Sequence, residues 1–98
     1  MTAAGGHALG REIVAKHGVD RWPTIGGTFR HLSDELGELA EALMLWFESH
    51  GQDEEAAARV RKEYGDVGLT LYLLGDKMLL DLDQCMTDVV AGETRRFA

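Results

Sequence analysis

Two pairs of acids in this sequence have spacing that can hold a metal ion. Glu35 and Glu38 fall in residues 31–44, HLSDELGELAEALM, and Glu63 and Asp66 fall in residues 62–67, KEYGDV. The members of each pair are spaced i,i+3, so on an α-helix both carboxylates of a pair lie on one face. If the two helices run antiparallel about a turn near Gly51, equal rise per residue places Glu38 opposite Glu63 and Glu35 opposite Asp66. Four carboxylates at one level, with no cation in the motif, repel strongly. The arrangement makes sense with a divalent metal in the space between them, bound by hard oxygen ligands.

The rest of the chain reads as helices that position those acids. Residues 4–17 carry Leu9, Ile13 and Val14 at helical spacing and end at Gly18, a left-handed cap. His7 and His17 have no second His or acid at ligand spacing. Residues 19–27, VDRWPTIGG, hold the only Pro and a Gly-Gly pair and read as a loop. That loop brings Trp22 beside the main helix, either to stack on a flat ligand with Arg21 at a phosphate, or to cover the open end of the bundle. Thr28 is placed to cap a second helix over 28–49, whose apolar stripe is Phe29, Leu32, Leu36, Leu39, Leu43 and Trp46 or Phe47.

Glu35 and Glu38 border that stripe, and no Lys or Arg on their helix is placed to pair with them. His31, one turn before Glu35, reads as a surface residue or as a group that orients Glu35. Asp53 caps a third helix over 54–79, with Val60, Tyr64, Val67, Leu71, Leu74 and Met78 inward and Lys77 on the face that carries Glu63 and Asp66. Gly37, Gly65 and Gly68 weaken their helices, which points to a close approach by a ligand or another backbone. Asp81-Leu-Asp-Gln opens a fourth helix to Phe97, with Leu82, Met86, Val89, Val90 and Phe97 inward. Arg95 and Arg96 end it, complementing its dipole or reaching across a subunit interface. The expected fold is all-α: a single domain over 1–98, a four-helix bundle whose two long central helices are antiparallel.

Charge and composition narrow the partners. The net charge of −7 argues against nucleic acid as a ligand, since phosphate contacts need cationic surface. Eight acids and no Lys or Arg lie between His31 and Ala58, an unusual separation for a solvated surface. The single Cys85 excludes an internal disulfide and a thiolate zinc site. No long apolar run and no signal-peptide core occur, so the expected setting is cytoplasmic, away from membranes. Ninety-eight residues bury a modest core, which favours burial against a second copy, in a homodimer or homotetramer.

With those residues in place, the chain from 28 to 96 resembles the MazG-like all-α nucleoside triphosphate pyrophosphohydrolases. Their signature joins E-E-x-x-E to a later E-x-x-D, and here DELGE at residues 34–38 is followed by EYGD at residues 63–66. The stretches ELGELAEAL, GDV and GDKMLLDL are also similar to the family's helices. Asp34 stands where the family usually has Glu, and Val89 and Glu93 stand where many members place Lys and Asn. The resemblance implies that Glu35, Glu38, Glu63 and Asp66 bind Mg2+, with Mn2+ as a substitute, in a dimer or tetramer. It implies a nucleoside triphosphate substrate, hydrolysed to the monophosphate and pyrophosphate.

In that chemistry Glu35 or Glu38 orients the attacking water. Trp22, Arg21, Lys77, Arg95 and Arg96 are candidate contacts to the substrate. No Ser or Cys nucleophile constellation is present, which leaves direct attack by water. A di-iron carboxylate bundle requires Glu-x-x-His, which the chain lacks. Two other readings stay open: an enzyme acting on phosphoribosyl-ATP, which shares the acid motifs, and a non-catalytic acidic module that binds a partner.

Overall fold

The computed structural model describes residues 3–17 and 23–97, with side chains for 5–16 and 23–92. Among the described residues the chain is all-helical: α1 (Ala3–His17), α2 (Ile25–Glu48), α3 (Glu54–Lys77) and α4 (Leu82–Phe97). Helices α2 and α3 form an antiparallel pair, and α1 packs on α3. No helix among them is long and apolar enough to cross a membrane.

Side-chain oxygens set the helix ends. Thr24, not Thr28, caps α2: its hydroxyl accepts from Gly27 N at 2.9 Å. The Gly26-Gly27 pair read as loop is therefore the first turn of a helix, because the cap satisfies an amide that a loop would give to water. Thr28 lies buried inside α2 and donates back to Thr24 O at 2.9 Å. Asp53 caps α3 as its type and place predict, accepting from Glu55 N and Ala56 N. The turn between them passes through left-handed His50 (φ 56°) and Gly51 (φ 75°), and Gly51 N bonds Trp46 O. Asp81 accepts from Gln84 N at 3.0 Å, while Gln84 turns its own side chain to Asp88, so only half of a capping box forms.

The α2–α3 seam repeats every seven residues. Thr28, Glu35 and Ala42 are buried on α2, and Ala56, Glu63 and Thr70 on α3. Glu35 and Glu63 touch through their carboxyls. Equal rise from that contact sets Thr28 level with Thr70 and Ala42 level with Ala56. The small outer layers let the helices approach closely. The threonine hydroxyls satisfy themselves on their own helices, Thr70 by donating to Asp66 O at 2.9 Å.

Helix α1 docks on α3 through absent side chains. Gly6 lies against the ring of Tyr72, where a Cβ has no room, and Gly10 lies against Leu73. His7, expected to be unpartnered, is buried and holds Asp76 through Nδ1 at 2.6 Å; Arg11 reaches the same carboxylate at 3.3 Å.

The fourth helix does not close a bundle within one chain. Beyond a few contacts with α1 it stands apart, and Met86, Val89 and Val90, expected inward, are exposed. Part of each long apolar stripe is exposed too: Phe29 and Leu36 on α2, and Tyr64, Leu71 and Met78 on α3. Most of these follow a seam position by one residue. At about 100° per residue, such positions on two antiparallel helices point to the same side of the pair. The pair thus has one apolar outer side. Glu38 and Asp66, three residues after seam positions, belong to the opposite side.

Candidate metal centre

The middle layer of the seam is the site. Glu35 and Glu63 are 8% and 5% exposed, and each has a buried Oε2 with no hydrogen-bond partner. With Asp66 they offer three carboxylate oxygens within 4.8 Å of one another, a span that a divalent ion with oxygen bonds of about 2.0–2.6 Å can bridge. Facing buried carboxylates whose oxygens lack donors are costly unless a cation or a shared proton compensates them. The residues present therefore fit an Mg2+ or Mn2+ ion held by hard ligands.

Electrostatics agree with the geometry. The Glu35 carboxyl is pushed up from 4.5 to about 7. Burial is the largest cause, followed by the charges of Asp66 and Glu38 and by the hydrogen bond and charge of Glu63. Glu38 is also held above the ordinary range, first by its hydrogen bond to Glu63 and then by that residue's charge. It is exposed, at the open edge of the cluster. The register expected from the turn alone put Glu38 level with Glu63. In the fold Glu35 meets Glu63 across the seam, nearly one turn away, and Glu38 reaches the same carboxyl from the solvent side.

The cluster has a cation that the sequence reading did not count. Lys62 Nζ lies 2.9 Å from Asp66 Oδ2 and 3.5 Å from Glu63 Oε1. Its ammonium is held above the ordinary range by the hydrogen bond to Asp66 and by both charges. Lys62 and Asp66 are four residues apart on one helix, a spacing that signals this pair in the sequence. A divalent ion bound by these carboxylates would compete with the Lys62 ammonium for Glu63 and Asp66. We predict that Lys62→Met binds Mn2+ more tightly, by roughly two- to fivefold because water already screens so exposed a charge, and melts lower in EDTA. Titration calorimetry and melts check both; weaker metal binding would make Lys62 a support of the site instead.

His31 orients Glu35. Its Nε2 lies 3.2 Å from Glu35 Oε1, and its side chain is three-quarters covered, which removes the surface reading. Such a partner fixes the rotamer of a ligand.

The other candidates are distributed differently. Lys77 ends α3 about 21 Å along the axis from Glu63, beside Arg11 and Asp76. Trp22 and Arg21 lie outside the described residues. Arg95 and Arg96 fall on the last turn of α4, with side chains outside the described set.

A cavity of about 550 Å3 adjoins the cluster between α1 and α3 and shares Lys62 and Asp66 with it. Lys16 and Arg61 also line it, and neither was singled out by spacing. Gly65 and Gly68 open onto it with no atom within 4 Å of a Cβ built at either position, and Gly37 is equally clear. These glycines leave space: among the described residues no backbone from another element comes within 4 Å of a Cβ there.

Comparison of the chain with models of known families, with curated proteins and with solved structures finds no match.

Proposed function

We propose that the protein is a metal-dependent nucleoside triphosphate pyrophosphohydrolase of the MazG-like kind, cleaving between the α- and β-phosphates. The observation that carries this reading is the facing pair Glu35 and Glu63, buried with unpaired oxygens and joined by Asp66. The paired acid motifs in the sequence point the same way.

Glu35, Glu63 and Asp66 would hold Mg2+ or Mn2+, and Glu38 would complete the set from the open edge. Such an ion, when bound, neutralises phosphate charge and acidifies water. The chain's own groups do the rest. Glu38, exposed beside Glu63, is placed to orient a water oxygen toward the α-phosphorus and to accept its proton. The water oxygen bonds to phosphorus as the bridge to the β-phosphate breaks, and pyrophosphate leaves. His31 keeps Glu35 in position, and a displaced Lys62 is free to meet a phosphate oxygen.

Incubating the protein with canonical and modified nucleoside triphosphates and Mg2+ or Mn2+ tests this. The expected products are monophosphate and pyrophosphate. Orthophosphate and diphosphate, or equal activity in EDTA, would overturn the assignment. One observation favours a non-catalytic acidic module instead: Lys62 already neutralises part of the cluster. Metal-independent stability with no turnover of any nucleotide would decide for that reading.

The working unit in this proposal is an oligomer of identical chains. The accessible surface is 7089 Å2, against about 5,500 Å2 for a typical folded monomer of 10.8 kDa. The excess on one chain, roughly 1,600 Å2, is about twice the area of about 800 Å2 that each partner contributes to a standard interface. The outer side bearing Phe29, Leu36, Tyr64 and Leu71 is the natural contact, leaving the acidic side open. Light scattering should give a dimer or tetramer, and Leu36→Lys with Tyr64→Lys should dissociate it. A wild-type monomer active at micromolar concentration contradicts this.

A further inference from the structure

The cleft between α1 and α3 is divided along its length. Gly6 and Tyr72 are in contact near one end, and Lys16, Arg61 and Lys62 line the same cleft. Arg61 and Tyr72 are about three turns apart on α3. Arg61 and Lys62 stand at the α3 end away from Tyr72, beside Asp66 of the acid cluster, and Lys16 adds a third cation to the lining. Glu12 offsets part of that charge. The remainder is apolar, with Leu9, Ile13, Leu69 and the Tyr72 ring, and Gly65 and Gly68 widen it. At about 550 Å3 the cleft has the volume of a small-molecule site.

We infer that this cleft receives the nucleoside half of a nucleoside triphosphate, its base toward Leu9 and Tyr72 and its phosphates toward Lys16, Arg61 and Lys62. The inference rests on the triphosphate reading above and adds where the substrate lies. Charge complementarity selects the occupant. Lys62 already has Asp66 and Glu63 as counter-ions, but a purely apolar partner would cover Lys16 and Arg61 with Glu12 alone to offset them, and inorganic triphosphate would leave the apolar floor in water. A nucleotide answers both ends, and its phosphates then sit beside the acidic metal cluster through the shared Lys62 and Asp66. A displaced Lys62 is already within the cleft lining, so the same ammonium serves the metal-free cluster and the phosphates in turn.

Gly65→Leu and Gly68→Leu place a side chain in the cleft where no protein atom stands in the way, and each removes a residue that weakens α3. Lys16→Glu reverses a charge of the cleft lining on an exposed side chain. The probes are Mn2+ alone, inorganic triphosphate with Mg2+, and the α,β-methylene analogues of the four common nucleoside triphosphates with Mg2+, each titrated by calorimetry.

Both leucine variants should weaken the analogues by at least about tenfold while leaving Mn2+ and inorganic triphosphate binding unchanged. Lys16→Glu should weaken analogue and inorganic triphosphate alike. Unchanged analogue affinity in the leucine variants overturns the inference, as does a change of oligomeric state with analogue affinity intact, which would make the cleft a contact between copies. If a leucine variant fails to fold, the other and Lys16→Glu decide. Hydrolysis by the wild type with a KM indifferent to all three substitutions would leave the enzymatic reading standing without the cleft. Cleft-dependent binding without pyrophosphate release would do the reverse, and a wild type that binds no analogue ends both.

Discussion

Glu63→Gln should reduce metal-dependent pyrophosphate release at least about 100-fold, since losing even a group that merely supports a metal ligand commonly costs 10–100-fold. The same substitution should raise the melting temperature of the metal-free protein. Glu63 is 5% exposed and faces Glu35 and Asp66, with one carboxylate oxygen unpaired. Like charges about 4 Å apart repel by about 1 kcal/mol in water and about 4 at the effective dielectric near a protein surface. The Gln amide keeps the shape and adds a donor that Glu35 can use. A gain of about 1–2 kcal/mol, or several degrees, follows at pH 8 where the Glu35 carboxyl is ionised. Excess Mg2+ should reverse the ranking, because the wild type alone gains binding free energy. Glu38→Gln separates two roles: an exposed group that orients water loses kcat with Mn2+ affinity nearly intact, whereas a ligand loses both. If Glu63→Gln melts lower than the wild type in EDTA, Glu63 is a structural hydrogen-bonding residue and the metal assignment fails.

The parts of this site that local spacing encodes were legible. Acids three residues apart on a helix share a face wherever the helix packs, and Asp53 before an Ala-rich run caps it in any context. The level at which two helices meet is not local. It depends on where the chain crosses the turn at His50 and Gly51 and on the small Ala42 and Ala56 layer beside it, so Glu35 rather than Glu38 became the buried partner of Glu63. The pairing of His7 with Asp76 joins α1 to the last turn of α3, residues far apart in the chain, and has no sequence signal at all. An amphipathic pattern on α4 states which side is apolar without stating what covers it, and within one chain little does. Lys62 is a different case, because its partner Asp66 lies four residues away on the same helix and an ordinary helical-pair search finds it.

Acidity should act on this protein in opposite directions with and without metal. Glu35 titrates at about 7 in the fold and near 4.5 as an unperturbed carboxyl. Between those values the folded metal-free chain binds about one more proton than the unfolded chain, so stability falls as pH rises through that window. The stabilisation is complete below about pH 4.5 and gone above about pH 7, with a size on the order of 2–3 kcal/mol for a group this buried. Metal binding runs the other way, since the ligand must be ionised: affinity for Mn2+ should climb from pH 5.5 to about 7 and then level off, with about one proton released per ion at pH 6. Melts in EDTA across this range should therefore fall, and melts in excess Mn2+ should rise. Glu35→Gln removes the titrating group and should flatten the metal-free profile over the same window. A wild-type profile already flat in EDTA, or metal binding at pH 6 that releases no proton in buffers of different ionisation enthalpy, would mean that Glu35 carries no extra proton. The facing carboxylates would then be ionised together without metal, a state that only a counter-ion such as Lys62, seated more deeply than 2.9 Å from Asp66 and 3.5 Å from Glu63 implies, could maintain.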